Sequence, residues 1–449
     1  MAEQPPKVVS HASIGWFGLQ RRRARTLWVA ASVYRQVRAC RAKAKDLAPE
    51  AARREWAELH ERVAVQVRTH AEENKGLLVK ACQFLSARPD ILPAAYVREF
   101  ARLTDRMPES PMPEVRRVLR AGLGRPLEEA FRDFATPAIG SASIAQVHRA
   151  VLHSGEVVAV KVQHEGVDRL IKEDLATLGI IARRVAEREP NFDLRPLLRE
   201  LALTHPRELD FLAEREALER VRGALERFGS AVAVPRAHPG LCERSVLTME
   251  FMEGLPLLTF ADAGLRAKHG VDPRLLLEAI VEAFGIMIFR EGFFHADPHP
   301  GNFLVRLEPG APAGAVPVLL DFGLVRALAP GERLPLAKAI AAMAAADLPK
   351  LFAAMGELGY KPNKELFSKE GRKELAAFAA SLKAGPGERR PLPRLVDDWP
   401  GVVVTVLRAV SGLEGLAVSL SAKMTVQKIV GQLAVHARAA IAEPPASRL

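Results

Sequence analysis

Three polar side chains are spaced for phosphoryl-transfer chemistry: Asp297, Asn302 five residues on, and Asp321. They lie in His-Ala-Asp-Pro-His-Pro-Gly-Asn (295–302) and in Asp-Phe-Gly (321–323). In such chemistry an Asp takes or orients the nucleophile's proton, an Asn on the same loop ligates a metal, and a second Asp holds magnesium bridging the nucleotide's phosphates. Asp297 is therefore the candidate catalytic residue, and Asn302 and Asp321 are the candidate metal ligands. Mg²⁺ prefers oxygen and keeps several waters, so one carboxamide and one carboxylate suffice beside phosphate oxygens. Asp-Phe-Gly alone also reads as an ordinary turn, and the upstream octet is what gives it meaning. His295 and His299 offer a competing reading as metal ligands, but Pro298 and Pro300 prevent the helix that would bring imidazoles at i and i+4 together.

These residues need elements to position them. Val-Leu-Leu (318–320) predicts a buried strand that delivers Asp321. Upstream, 139–147 and 150–152, a His-Ser-Gly turn and 157–161 predict antiparallel strands joined by a hairpin. A nucleotide-binding kinase lobe places a Gly-x-Gly-x-x-Gly loop over the phosphates, before a strand whose Lys pairs the α- and β-phosphates. Here the loop reads Ile139, Gly140, Ser141, Ala142, Ser143, Ile144, Ala145, Gln146, Val147, with Ala at the second and third glycine places, and Lys161 ends Val-Ala-Val. The Lys requires an acid, and Glu214 in the run 208–220, expected to be helical, is the candidate, with Glu208 and Asp210 nearby. Residues 246–254 predict a buried strand entering a hinge, where Glu250 and Met252 would meet the nucleotide base. Helices are expected over 273–289, 334–346 and 402–440, and no Ala-Pro-Glu closes a peptide-docking segment after Asp321.

The chain has 449 residues, 49% hydrophobic and 26% charged, enough for a large core. Cys40, Cys82 and Cys242 form no Cys-x-x-Cys pair, which excludes a disulfide framework or a zinc ribbon and fits a reducing cytoplasm. The first residues lack a signal-peptide pattern, and no uninterrupted apolar window is long enough to cross a bilayer. The formal charge of +11 is concentrated in 16–47, where Arg21, Arg22, Arg23, Arg25, Arg35, Arg38, Arg41, Lys43 and Lys45 face Asp46 alone. Leu27, Ala30, Val33, Tyr34 and Val37 recur at helical spacing, which predicts a basic amphipathic helix. Two readings stand: a solvated face on a docked helix, or a peripheral contact with an anionic membrane. Nothing beside the charge suggests nucleic acid. A second helical stretch, 51–88, carries Lys80 and Gln83 on one face and is closed by Pro89.

Taken together and in order, Lys80-x-x-Gln83, the alanine-substituted loop, Lys161, Glu208-x-Asp210 with Glu214, the 295–302 octet and Asp321-Phe-Gly resemble the UbiB/AarF (ADCK-type) atypical kinases over about 50–330. The resemblance implies an α+β, two-lobed protein-kinase-like fold: a basic segment at 1–47, a helical extension at 48–136, an N-lobe at 137–253 and a helical C-lobe at 254–449. It also implies ATP or ADP with Mg²⁺ as cofactors, and work in quinone or isoprenoid-lipid metabolism with lipid or biosynthetic proteins as partners. In that family the Lys and Gln of the extension fold over the active site and exclude protein substrates. Carried over, Lys80 meets Glu208, Lys161 meets Glu214, and Gln83 and Asp210 complete the gate. Two positions depart from the pattern: Cys82 stands where the family has Gly, and Gly140 where its loop begins with Ala. A nucleotide-sensing scaffold and a lipid-binding chaperone remain alternatives to an enzyme.

Overall fold

The computed structural model describes residues 15–86, 92–103, 108–189, 208–360 and 400–442, with short pieces of 193–202 and 368–377. The expected stop at Pro89, the first fourteen residues and most of the 383–401 connector lie outside the described residues. The chain forms two compact units, one comprising residues up to Leu212 with His238–Met249, the other Ala213–Ala237 with the chain from Glu250 onward.

The first unit opens with three helices, α1 (Trp16–Ala44), α2 (Pro49–Asn74) and α3 (Leu77–Ser86), followed by the short α4 (Ala94–Phe100). Cys40 of α1 packs with Leu59 and Val63 of α2, while Leu78, Val79 and Cys82 of α3 pack with Ala71, Phe100 and Leu103. That face of α3 is apolar, so Lys80 and Gln83 fall on the other. Cys82 thus fills the helical core, where burial pushes its thiol up to about 12. The antiparallel sheet follows α5 (Met112–Leu123) and α6 (Leu127–Ala130). Its strands are β1 (Asp133–Phe134), β2 (Gly140–Ser141), β3 (Ala145–Val151), β4 (Val157–Gln163) and β5 (Val246–Glu250), in the order β1-β3-β4-β5 with β2 beside β3. Strand alternation decides the orientation of Lys161. Val158, Val160 and Val162 are fully buried against α5 and α6, so Lys161 projects from the opposite face. α7 (Val167–Arg188) follows β4.

One sequence expectation is corrected here. The run 208–220 is not helical throughout: α8 spans Phe211–Arg227, and Asp210 precedes it, its carboxylate accepting from the Leu212 N–H at 3.1 Å. An Asp at this position caps orphan amides, so the helix starts after it.

In the second unit, β6 (Leu255–Pro256) pairs with β8 (Phe303–Leu307), which pairs with β9 (Ala315–Leu319), and β7 (Phe293–His295) pairs with β10 (Val325–Ala327). Between β6 and β7 run α9 (Ala263–His269) and α10 (Pro273–Gly285), the latter continuing as a π-helical turn over Ile286–Glu291 that buries Ile286, Met287, Ile288 and Phe289. α11 (Arg333–Ala344), α12 (Leu348–Glu357), α13 (Gly401–Ser419) and α14 (Val426–Ala442) complete it. The helix expected over 402–440 is thus two helices, divided where Ser421 and Lys423 take φ of 52° and 47°. No uninterrupted apolar stretch of that length appears, but α13, which contains Arg408 and Glu414, is long and apolar enough to cross a bilayer by length and composition, with 44% of its apolar window buried inside the fold.

The β8–β9 register governs the site. Phe303 lies opposite Leu319, and the Leu320 N–H donates to the Asn302 carbonyl at 3.0 Å, so one hairpin end carries Asn302 and, one residue past Leu320, Asp321. At the other end Gly314 has φ +70°, and a Cβ there would stand 2.2 Å from the Gly270 carbonyl oxygen. Gly314→Ala is expected to destabilise the unit by about 2 kcal/mol or more, from positive-φ strain and the backbone collision together. Urea unfolding showing a change below about 0.5 kcal/mol would contradict this account of the hairpin.

Candidate nucleotide and metal site

The 295–302 loop is organised by its own imidazoles. His295 is buried, with its ring edge-on to Phe284 and Phe322, and its Nδ1 accepts the Asp297 N–H at 3.0 Å. Burial lowers its pKa, partly opposed by the charges of Asp321 and Asp297. His299 accepts the Gly301 N–H at 3.1 Å through Nδ1. Both histidines therefore use a ring nitrogen to shape the turn, and among the described residues no cluster of three or more His, Cys, Asp or Glu could hold a metal. The Asn302 side-chain amide donates to the Asp297 carbonyl at 3.0 Å, which leaves its Oδ1 for a cation. Asp321 accepts the Gly323 N–H through Oδ1 at 2.9 Å. An amide oxygen and a carboxylate from one hairpin end fit magnesium, whose remaining ligands are phosphate oxygens and water.

Two further contacts tie this loop to its unit. Ala296 donates to the Leu324 carbonyl at 2.9 Å, holding the 295–302 loop to the segment after Asp-Phe-Gly. Gly412 of α13 packs against Pro298 so closely that a Cβ would come within 2.6 Å of the proline ring. Glu214, buried in the first turn of α8, lies near Gly323, its carboxylate 3.9 Å from where a Cβ on that glycine would stand. Glu250 accepts from the Arg236 N–H at 3.3 Å and Met252 is half-buried.

In the first unit the 139–147 loop is a tight hairpin. Ile139 donates to Val147 and Ala142 to Ala145, each at 2.8 Å. Ile139 is exposed, Ser143, Ala145 and Gln146 are buried, and Ile144 is half-buried. Gly140 has no positive φ, and an added Cβ would meet nothing within 4 Å, so the fold does not require glycine there. Val147 pairs with Lys161 in the register of β3 on β4, and the Lys161 ammonium sits 5.0 Å from the centre of the Phe211 ring, a cation–π contact. Lys80 donates to Glu208 at 3.3 Å, and Gln83 donates to the Leu103 carbonyl at 3.2 Å. Asp210, besides capping α8, lies 3.4 Å from Arg244.

Ser110, His148 and His164, which with Gln146 hold this loop from behind, carry no signal in the sequence. The Gln146 amide pairs with both backbone groups of Ser110, at 2.6 and 3.3 Å, and lies 2.7 Å from His148 Nε2. His164 Nε2 lies 2.8 Å from the Ala142 carbonyl and Nδ1 2.8 Å from the Ser110 hydroxyl. A carbonyl only accepts, so His164 carries its proton on Nε2 and takes the Ser110 proton on Nδ1. By the same argument His148 donates through Nδ1 to the Ala135 carbonyl and accepts through Nε2. A single histidine after a strand gives no signal of this; only the fold brings Ser110 to it.

The ABC1 atypical kinase-like domain matches residues 102–355. The AarF domain-containing protein kinase 1 of Gallus gallus is 35% identical over 294 residues, covering 66% of this chain and 56% of that protein. The probable protein kinase UbiB of Marinobacter nauticus is 34% identical over 277 residues, covering 61% and 49%. The chain thus spans about half the length of these curated relatives. Among solved structures, Rv3197 of Mycobacterium tuberculosis, determined with erythromycin, has a TM-score of 0.57 at 23% identity, covering 86% of this chain and 98% of that one. The α+β, kinase-like fold is thereby supported.

Burial lowers the pKa of both His148 and His164, with backbone hydrogen bonds partly opposing it. A histidine held neutral in this way contributes stability that is complete above its unfolded value of about 6.5 and is lost as pH falls through the depressed folded value. Stability is therefore expected to fall on acidification from pH 7.5 to 5. His164→Gln keeps a donor for Ala142 and an acceptor for Ser110, and should flatten that slope. An unchanged slope in urea titrations would remove His164 from this role.

Proposed function

The chain belongs to the ABC1 atypical kinase-like (UbiB/AarF) family, and from that membership and the loop geometry we propose a Mg²⁺-dependent atypical kinase or ATPase that binds ATP or ADP. The observation that carries the reading is the hairpin end at which Asn302 and Asp321 are joined by the Leu320 to Asn302 hydrogen bond, with Asn302 also holding the Asp297 carbonyl. Asn302 and Asp321 would hold the metal, which supplies charge neutralisation on the phosphates, and Asp297, exposed at the loop's apex, would orient the attacking group or take its proton. Lys161 would contact phosphate and pair with Glu214. In support, it stacks on Phe211, the residue that opens the helix carrying Glu214. The 139–147 hairpin would cover the phosphates, Glu250 and Met252 would border the base, and Lys80 with Glu208, Gln83 and Asp210 would form the gate. The chain passes from Asp-Phe-Gly through β10 into α11 without a peptide-docking segment, which favours a small or lipid-linked acceptor in quinone or isoprenoid metabolism.

The same reading places the chain at an anionic membrane surface. In support, the basic residues of α1 fall into two groups. Arg22, Arg25, Arg41 and Lys43 pair with Asp174, Glu73, Glu189 and Glu55, whereas Arg21, Arg35 and Arg38 are exposed on the helix that also exposes Trp16, Phe17 and Trp28. Basic groups near such a surface contribute about 1 kcal/mol each, and aromatic rings add a salt-resistant part. Anionic liposomes should sediment the full chain at low salt, and Trp28→Ala with Arg35→Glu should abolish this. Absence of binding at low salt by the unmodified chain ends the membrane reading.

For the chemistry, Asp321→Asn should remove most of the magnesium dependence of nucleotide affinity, because a charged oxygen ligand becomes neutral. Asp297→Asn should preserve affinity and lower ADP production by about 10²–10⁴-fold. Calorimetry and single-turnover assays check both. Equal Mg-nucleotide affinity in wild type and Asp321→Asn would refute the metal assignment, and turnover surviving in Asp297→Asn would refute the catalytic one.

A further inference from the structure

The turn that launches the Lys80 helix is strained and held by a buried ion pair. Lys75 has φ 57° and ψ −157°, a combination favourable only to glycine, and Gly76 follows at φ +61°. Arg22 of α1 grips this turn. Its guanidinium donates to the carbonyl of Asn74 and, at 3.1 Å, to that of Lys75. The same group donates through Nε and Nη2 to the two carboxylate oxygens of Asp174 on α7, each at 2.7 Å. The two side chains are 9% and 5% exposed. The N–H of Leu77, first residue of α3, also stabilises the ionised Asp174 carboxylate, against burial that raises its pKa. A Cβ on Gly76 would already touch Leu170, Arg22 and Asp174 at 3.5–3.7 Å, so the turn is packed on every side that matters.

Such an arrangement is poorly explained by stability alone. A buried ion pair gives little net stabilisation over well-packed apolar groups of the same shape, and a non-glycine residue at positive φ costs free energy. Both are placed at the one turn that sets where α3 begins, three residues before Lys80. We propose that Arg22 and Asp174 are positioning residues for the gate: their ion pair holds the 74–76 turn in its strained form, fixing the start of α3 so that Lys80 reaches Glu208. This rests on the reading of Lys80 and Glu208 as a gate. Arginine is required because a planar fork can serve two carbonyls and a carboxylate at once, whereas an ammonium is a single compact charge.

Amide hydrogen exchange over 77–83 and Mg-ATP and Mg-ADP affinities are to be measured on the full chain. Arg22→Lys should raise exchange in that segment about tenfold or more, and shift the ATP to ADP affinity ratio in the direction of Lys80→Ala. Lys75→Gly in the Arg22→Lys background removes the strain the pair restrains, and should return both readouts toward wild type. A merely structural role in docking α1 would not be rescued by a change in the turn. Unchanged exchange in Arg22→Lys overturns the proposal, as does a change that Lys75→Gly fails to reverse. If Arg22→Lys does not fold, Asp174→Asn, which keeps an acceptor for the Leu77 N–H, is read in the same way. If Lys80→Ala itself leaves the affinity ratio unaltered, the gate reading fails, while the exchange data still decide whether Arg22 sets α3.

Discussion

The pairing of Phe303 with Leu319 is the constraint that fixes where Asn302 and Asp321 stand in the second unit. A strand pair has period two, so a slip of one residue would move every side chain to the opposite face. It would also part Asn302 from Asp321. The register is protected by burial, since Phe303, Val305, Val318 and Leu319 are all at 1% exposure or less. It is reinforced where Ala233 bridges to Val318, donating to Pro317 and accepting from Leu319 at 2.9 Å. With the hairpin fixed, short-range hydrogen bonds suffice to arrange the loops: His295 to Asp297, His299 to Gly301, Asn302 to Asp297 and Asp321 to Gly323 each span five residues or fewer. The hydrophobic core sets the coarse position and local polar contacts set the fine one.

The first unit solves a different problem, that of holding a flexible-looking loop in which Gly140 is the one glycine. A glycine-rich loop shapes itself around phosphate because its backbone is unhindered. Alanines at 142 and 145 limit that freedom, and the structure supplies rigidity from behind through Gln146, Ser110 and His164. Each of these buried groups has its hydrogen bonds satisfied, which is the condition under which a buried polar network specifies one geometry. A loop held this way trades adaptability for a fixed approach distance.

How much of this was legible in the sequence depended on range. Asp297 and Asn302 are five residues apart, and their closeness on one loop, with the Asn302 amide on the Asp297 carbonyl, could be read from spacing alone. The strand carrying Lys161 could be read in the same way, and the burial of Val158, Val160 and Val162 sets its face. By contrast, Arg22 and Asp174 are 152 residues apart and Ser110 and His164 are 54 apart, and no local pattern marks either pair. Helix ends were the other weak point. Asp210 looked like a member of an acidic helix and is its cap. The division between α13 and α14 falls at Ser421 and Lys423, residues whose types do not announce a left-handed backbone. α13 itself shows why composition misleads, because a helix lying half in a protein core meets the same apolar criteria as one meant for lipid.

The basic run at the start of the chain makes the general point most sharply. Nine cations within one helix and its flank suggest a surface that meets negative charge, yet the count says nothing about which side faces outward. Arg22 is a buried element of the α3 turn, and Arg41 and Lys43 are spent on acids of α7's end and α2. The electrostatic surface is what remains once these are subtracted, with Trp16, Phe17 and Trp28 around it. α1 thus has an inner face committed to the fold, through Cys40, Thr26 and Arg22, and an outer face on which Arg21, Trp28 and Arg35 are exposed. A helix whose inner arginine holds the 74–76 turn and whose outer arginines stand exposed beside Trp28 carries basic residues on two faces, and substitutions on one face are separable from those on the other because a helix keeps its faces apart.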